Sequence, residues 1–161
     1  MLHPQTPLEF ARELIKGRIA ETVFEQMIKH EERFMVIPFG YEHTMPLLAQ
    51  HQHHVQLKKV MNNIKDAPDF ALVSKDNSQV YLVEVKYRSA PNKDGMTQLA
   101  MRLLKRWDPS WLFIATPQQF FCTTAHTIVN NHGHMDDLNE SWVNLNTQNE
   151  YLKLLGEFEK L

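Results

Sequence analysis

The chain has 161 residues, 43% of them hydrophobic and 22% charged, which is the composition of a single globular domain with a buried core. No apolar stretch approaches the roughly 18 residues that a membrane helix needs, and the first residues show no signal-peptide pattern, so we expect a cytoplasmic protein. The formal net charge of −2 argues against strong nonspecific binding to nucleic acid, and the single cysteine, Cys122, excludes an internal disulfide framework and a cysteine-based zinc site.

The first predicted element is a helix over residues 13 to about 32, because apolar residues recur there at helical spacing. Its polar side chains collect on one side, but Glu21 falls on the apolar arc, one turn after Gly17. On the helix alone, such a glutamate is most often an edge residue that reaches water. Because other acidic residues follow further along the chain, we interpret Glu21 as pointing into a site that it shares with them.

A strand is predicted next, over residues 33–41, followed by a helix from about residue 45 to 63. Residues 51–54 read HQHH, with His43 nearby. Histidine-rich tracts can bind zinc, but no fourth ligand is defined here. We therefore interpret these histidines as solvated or phosphate-facing.

Two apolar runs, residues 69–74 and 80–87, flank the turn sequence KDNS and predict a β-hairpin. If the hairpin folds symmetrically about Asp76 and Asn77, Asp69 lies directly opposite Glu84, with Cβ atoms roughly 4.5–5.5 Å apart. Strand side chains alternate, so Glu84 and Lys86 share one face. Two carboxylates at this distance are costly unless they share a cation. A bulge in the hairpin would spoil this register.

The remaining elements complete a sheet. A helix is predicted over residues 95–107 and a buried central strand over residues 111–115, which makes a strand–helix–strand crossover. We therefore predict an α/β fold with a central mixed β-sheet of about four to five strands, flanked by helices. Residues 120–131 fit either a helix or a strand, and residues 149–161 form a terminal helix. For Trp107 and Trp111, core packing is favoured over stacking on a base.

The acidic residues and the lysine resemble the PD-(D/E)XK nuclease superfamily, and most of all its archaeal-type Holliday junction resolvases. Residues 17–21 (GRIAE) resemble the first-helix motif of these enzymes, Pro68-Asp69 the start of their second strand, and residues 84–89 (EVKYRS) their catalytic strand and its exit. The resemblance covers about residues 12–116. It implies a single domain over residues 1–161, with a helical insertion at about 44–65 that forms a lid or specificity element and a C-terminal extension at 117–161.

The resemblance also implies roles for individual residues. Glu21, Asp69 and Glu84, with the carbonyl of Val85, would hold Mg²⁺, for which Mn²⁺ may substitute. Lys86 would hold or help to deprotonate the attacking water, and Gln98 would position that water or the phosphate. The alternatives are a strand-end lysine that reaches solvent and an ordinary polar position on a helix.

Basic residues cluster around these positions and predict a surface that faces nucleic acid. The candidates are Arg18, Lys58, Lys59, Lys65, Arg88, Lys93 and Arg102. Such a run is also compatible with a solvated face.

From these residues we expect a metal-dependent endonuclease that hydrolyses phosphodiester bonds in DNA, with branched or structured DNA as the substrate that the resemblance favours. One alternative is a PD-(D/E)XK-like module that binds nucleic acid or protein without cutting. Another is an RNA-processing nuclease on the same scaffold, and a third is a structural Glu84–Lys86 ion pair in an unrelated domain. The resemblance also makes a homodimer plausible.

Overall fold

Five strands form one sheet, and helices cover both of its faces. The structure is a computed structural model that describes residues 4–40 and 55–160. Its elements in chain order are α1 (Pro7–Glu31), β1 (Phe34–Pro38), α2 (Val55–Lys65), β2 (Phe70–Ser74), β3 (Val80–Tyr87), α3 (Lys93–Leu104), β4 (Trp111–Ala115), β5 (Phe120–Thr124), α4 (Ala125–Asn130) and α5 (Leu145–Glu159). The predicted α/β fold with a mixed sheet is confirmed.

Helix α1 begins six residues earlier than its apolar periodicity predicts. Thr6 caps it by accepting a hydrogen bond from the backbone N–H of Glu9 at 3.2 Å, while the Glu9 carboxylate accepts one from the N–H of Thr6 at 2.8 Å. Pro7 occupies the first turn, where its missing N–H costs nothing. This reciprocal capping box stabilises a helix start whose side chains are mostly exposed.

The strand order is β1-β2-β3-β4-β5, and every pair is antiparallel except β3–β4. The hairpin of β2 and β3 has the predicted symmetric register, with Phe70 opposite Val83 and Val73 opposite Val80. At its turn, the Asp76 carboxylate accepts hydrogen bonds from Ser74 and Ser78. Asn77 adopts the left-handed conformation (φ 57°) that this tight turn requires.

The sheet separates two hydrophobic clusters. On one face, α1 and α5 pack against side chains of the strands that include Phe70, Leu72, Val83, Val85 and Phe113. On the other face, Leu112 and Ile114 of β4 pack against α3 and α4. Glu84 and Lys86 pair with Leu112 and Ile114 in the parallel register, so they project from the α3–α4 face.

Residues 117–161 belong to the same core. Residues 120–131, which fit either a helix or a strand in the sequence, contain both: β5 followed directly by α4. Leu138, Trp142 and Leu155 are buried in the cluster that contains α1. Cys122 is buried there too, as a small hydrophobe, and burial raises the pKa of its thiol.

Of the two tryptophans predicted to pack in the core, Trp111 packs against the cluster that contains α1, whereas Trp107 lies outside both hydrophobic clusters. Trp107 donates its indole N–H to the carbonyl of Asn63 at 3.1 Å and meets the Phe39 ring edge-on, which ties the end of α3 to α2. Trp111 joins an aromatic cluster with Tyr81 and Trp142.

Residues 41–54, which include His43, His51, His53, His54 and about half of the predicted insertion, lie outside the described residues. None of the helices described in residues 4–40 and 55–160 is long and apolar enough to cross a bilayer.

We expect Gly133→Ala to destabilise the protein. Gly133 has φ 91°, and a Cβ there would overlap the backbone carbonyl of Lys93 at the start of α3. The backbone strain alone costs about 1–3 kcal/mol. The matched control is Gly156→Ala in the middle of α5, where a Cβ meets open space, and this change should stabilise by about 0.5–1 kcal/mol. Urea denaturation of both variants measures the two effects, and a neutral Gly133→Ala would contradict the prediction.

Candidate functional site

The candidate site is centred on Asp69, where the pairing of β2 with β3 ends. The last paired residues there are Phe70 and Val83. Just beyond this last pair, the backbone N–H of Val85 donates a hydrogen bond to the Asp69 carboxylate at 2.8 Å. On the other side, the Asp69 carbonyl accepts hydrogen bonds from the N–H groups of Phe39 and Gly40, at 2.8 and 3.1 Å. Asp69 is therefore held between the end of β1 and the middle of β3.

Glu84 lies on the adjacent strand, at the position that the hairpin register places opposite Asp69. It is nearly buried, with 9% of its surface exposed. The Lys86 ammonium lies 2.8 Å from its carboxylate, and the Lys86 side chain is 30% exposed. The acid and the base thus share one face of β3, with the lysine on the solvent side.

The electrostatics of Asp69 show how close the charged groups are. Burial, with the nearby charges of Glu84 and Glu21, raises the pKa of Asp69 to about 7. The hydrogen bond from Val85 and the charge of Lys86 act in the opposite direction. A carboxyl group with a pKa this high sits among negative charges that are only partly neutralised.

Glu21 reaches this group from α1, the helix on the opposite face of the sheet. Its side chain is 29% exposed and lies 3.8 Å from the guanidinium of Arg18, one turn earlier. The effect of its charge on Asp69 places the two carboxylates within electrostatic range. Direct contacts thus join Asp69 to β3 and Glu84 to Lys86, whereas Glu21 acts on Asp69 through its charge.

Gln98 is placed differently. It lies on the exposed side of α3, opposite the buried residues Met96, Ala100 and Leu103. Within the residues that the structure describes, it is not joined to the carboxylates, and its role in positioning water stays a prediction.

Two of the predicted basic residues lie close to each other. Arg88 follows β3 directly and donates to the carbonyl of Tyr87 at 2.8 Å. Burial lowers the pKa of Arg88, the charge of Arg102 lowers it further, and the charge of Glu13 raises it. Arg88 and Arg102 therefore form a positive pair beyond the exit of the strand that carries Glu84 and Lys86.

The other predicted basic residues are scattered over the surface. Lys59, Lys65 and Lys93 are exposed, and Arg18 contacts Glu21; the side chain of Lys58 lies outside the described part of the chain. Arg106, just after α3, pairs with Asp66, just after α2. That residue has a structural role.

The donor set fits a hard divalent cation in its chemistry. All the side-chain donors are carboxylates, and the charges of Glu84 and Glu21 add to burial in raising the pKa of Asp69. In residues 4–40 and 55–160, no group of three or more His, Cys, Asp or Glu side chains is already arranged as a ligand set. Glu84 is instead turned toward Lys86.

Two residues near the site are absent from the sequence-based candidates. Gly40 packs against Asp69, and a Cβ on it would lie 3.4 Å from the Asp69 Cα. Its position near the end of a predicted strand is the only signal that the sequence offers. Glu13 acts on Arg88 from the first half of α1, and nothing local in the sequence marks it.

No protein-family model matches the chain, and no curated protein matches it in sequence. A functional assignment therefore depends on the residues and the geometry of the site.

Proposed function

We propose that the protein is a metal-dependent endonuclease of the PD-(D/E)XK type that hydrolyses phosphodiester bonds in DNA. The observation that carries this proposal is the joining of Asp69, Glu84 and Lys86 across one hairpin. Asp69 accepts a hydrogen bond from Val85 at 2.8 Å, and Glu84 holds Lys86 at 2.8 Å. A structural ion pair would need only Glu84 and Lys86. It gives no reason for a second carboxylate that is destabilised beside them.

Asp69 and Glu84, with Glu21 as a third carboxylate and the Val85 carbonyl, are the groups that would hold the ion. When bound, Mg²⁺ or Mn²⁺ supplies Lewis-acid stabilisation of the phosphate and a more acidic water. The chain supplies the rest. Because Asp69 is fixed by backbone hydrogen bonds on both sides, its carboxylate is pre-positioned and needs little reorganisation.

Lys86 is the group that faces the reacting atoms. Its ammonium is anchored by Glu84 and its side chain is 30% exposed, so it can donate to an attacking water or to a phosphate oxygen at the surface. A positive charge at this position stabilises the negative charge that develops during phosphodiester hydrolysis.

Nucleic acid is the substrate class that the surrounding charge supports. Arg88 lies within electrostatic range of Arg102, whose charge lowers its pKa against the larger effect of Glu13, and a phosphate would add a negative charge that favours both guanidinium groups. Branched or structured DNA is the leading substrate because of the sequence resemblance. We also propose that the protein acts in the cytoplasm and away from membranes.

The test is cleavage of a labelled panel: a four-way junction, a flap, linear duplex DNA, single-stranded DNA and RNA. The native protein is compared with Lys86→Ala and Asp69→Asn in Mg²⁺, in Mn²⁺ and in EDTA. We expect cleavage that requires metal and falls at least 100-fold in both variants. Lys75→Ala and Asp76→Asn, which change the exposed hairpin turn, should cut as the native protein does.

Each outcome separates the proposal from its alternatives. Preferential cutting of RNA would favour an RNA-processing nuclease over a DNA endonuclease. Binding of DNA without any cutting would favour the non-cleaving module. Cleavage that survives both Lys86→Ala and Asp69→Asn would show that this hairpin is not the site.

A further inference from the structure

A cavity lies in the last third of the chain, between the start of β5 and the first turns of α5. Its volume is about 410 Å³, and ligand-binding cavities span roughly 300–1,000 Å³. The apolar side chains that line it are Phe120, Leu138, Leu145 and Leu152, of which the first two are almost fully buried. The cavity is thus large enough for a small ligand with an apolar part.

Gln148 turns an unpaired hydrogen-bond acceptor toward this cavity. The residue is 9% exposed, and its side-chain nitrogen donates to the carbonyls of Leu138 and Val143 at 3.1 and 2.8 Å. Because carbonyls only accept, these two bonds fix which end of the amide is the nitrogen. The amide oxygen accepts no hydrogen bond in residues 4–40 and 55–160, where Ser110 Oγ is the only fully enclosed side-chain polar atom without a partner. The Gln148 oxygen is therefore open to the cavity that the residue lines.

The charges at the rim of the cavity are negative. Asp137 and Glu140 line it and are exposed, whereas no lysine or arginine of the described chain lines it. Gln119 donates to one oxygen of the Asp137 carboxylate at 2.7 Å and holds this group at the rim. Arg33 donates to the backbone carbonyl of Glu140 at 2.6 Å, but its guanidinium is paired with Glu31 at 3.3 Å. The two rim carboxylates therefore favour a positively charged ligand.

The start of α5 does not reverse this preference, although free N–H groups at a helix start attract anions. The N–H of Thr147 donates to the side chain of Asn144, the residue that caps the helix, at 2.9 Å. The N–H of Asn144 donates to the Glu31 carboxylate at 3.1 Å. Donors and negative charge of the chain itself thus meet at this end of the helix.

We propose that this cavity binds a guanidinium group carried on an apolar stem, either in a small guanidine compound or in an arginine side chain of a partner. A guanidinium presents up to five N–H donors in one plane, so it reaches several acceptors at once. The Gln148 oxygen and the Asp137 and Glu140 carboxylates are such acceptors, and the apolar walls suit the stem. An ammonium is more strongly hydrated and loses more on entry.

Guanidinium binding here is independent of the proposed nuclease activity. The lining residues fall within 118–152, outside residues 12–116 that carry the resemblance. The test contains neither metal nor nucleic acid, so failure of one proposal leaves the other standing.

The experiment is a titration of the isotope-labelled full chain, followed in two-dimensional NMR by the side-chain amide resonances of Gln148 and Gln119. The probes are agmatine, a small guanidine, and N-acetylarginine amide, an arginine side chain in a peptide setting, each up to about 10 mM. The control ligand is N-acetylcitrulline amide, in which a neutral urea replaces the guanidinium. We expect saturable shifts of the Gln148 resonances with a guanidinium probe and none with the urea. The probe that binds more tightly identifies the source of the ligand.

Two variants at the rim test the acceptors. Asp137→Asn and Glu140→Gln each remove one charge at an exposed position, and asparagine can still accept the hydrogen bond from Gln119. Each should weaken guanidinium binding about tenfold, which corresponds to the loss of one hydrogen bond to a charged group. The matched control is Glu157→Gln, an exposed change on α5 outside the cavity, which should bind as the native protein does. Thermal unfolding confirms that all variants fold.

The absence of saturable shifts with both guanidinium probes would overturn the proposal. Equal binding of N-acetylcitrulline amide would overturn it as well. So would native affinity in both rim variants, or a loss in Glu157→Gln as large as theirs.

Discussion

Asp69→Asn is expected to make the protein more stable at pH 8, although it removes a candidate catalytic group. In the folded protein, burial and the charge of Glu84 raise the pKa of Asp69 from about 3.8 to about 7. The folded state therefore binds a proton more tightly than the unfolded chain does. Between about pH 4 and pH 7 this contribution to stability is lost as the pH rises, and above pH 7 it is gone.

At pH 8 the ionised Asp69 costs on the order of 2–4 kcal/mol, since each unit of pKa shift corresponds to about 1.4 kcal/mol. Asparagine stays neutral, and its amide oxygen can still accept the hydrogen bond from Val85. The advantage of Asp69→Asn should thus be largest at pH 8 and disappear near pH 4. Urea denaturation in EDTA across this pH range measures it.

The control for this prediction is Asp76→Asn in the hairpin turn. Hydrogen bonds from Ser74 and Ser78 lower the pKa of Asp76 to about 2, so its carboxylate favours the folded state above pH 4. Asp76→Asn should therefore gain no stability at pH 8. If Asp69→Asn is less stable than the native protein at pH 8, the ionised Asp69 carboxylate does not destabilise the folded state.

If the proposed function is right, metal ions should remove the stability advantage that Asp69→Asn has over the native protein at pH 8. A divalent ion bound by Asp69 and Glu84 stabilises the folded state of the native protein by mass action. Millimolar Mg²⁺ should then raise the midpoint of native unfolding at pH 8 and leave that of Asp69→Asn nearly unchanged.

Phe24→Ala is expected to cost about 3–5 kcal/mol, a large part of the total stability of a domain of this size. Phe24 is fully buried, and its ring lies 5.3 Å from that of Phe70 and 4.8 Å from that of Phe113. It thus joins α1 to two strands, β2 and β4. Truncation leaves a cavity between a helix and a sheet that can close only if both move.

The same helix offers a matched control. Phe10→Ala makes the same chemical change at a position that is 60% exposed, and its effect should stay within about 0.5 kcal/mol. Urea denaturation at one fixed protein concentration compares the two. Equal losses in both variants would mean that Phe24 does not anchor α1 to the sheet.

The local pattern of the sequence is enough to predict the hairpin of β2 and β3. Alternating side chains and the KDNS turn predict which residues of β2 and β3 pair, and the structure has that register. The short apolar run at residues 111–115 is likewise β4, with the same bounds, and its parallel pairing with β3 follows from the intervening helix. These features depend on periodicity and turn length, which are properties of neighbouring residues.

Helix ends and the last third of the chain are harder to predict. The start of α1 depends on the Thr6–Glu9 capping box, which precedes the apolar period. Residues 117–161, predicted as an extension, contribute β5 and α5 to the core that α1 also enters. The burial of α5 results from contacts with α1, more than 100 positions earlier in the chain, which local periodicity does not predict.

For the candidate site, the sequence by itself determined the hairpin register, which puts Asp69 across from Glu84 when it is continued one residue past Phe70 and Val83. It also determined that Lys86 shares the face of Glu84, because strand side chains alternate. Only the tertiary structure decided the rest. It brought the charge of Glu21 to Asp69 from a helix on the opposite face, turned Gln98 toward solvent, and set Arg88 beside Arg102. The physical reason is that the direction of a helical side chain in space depends on how the whole helix packs, and packing is the sum of many long-range contacts.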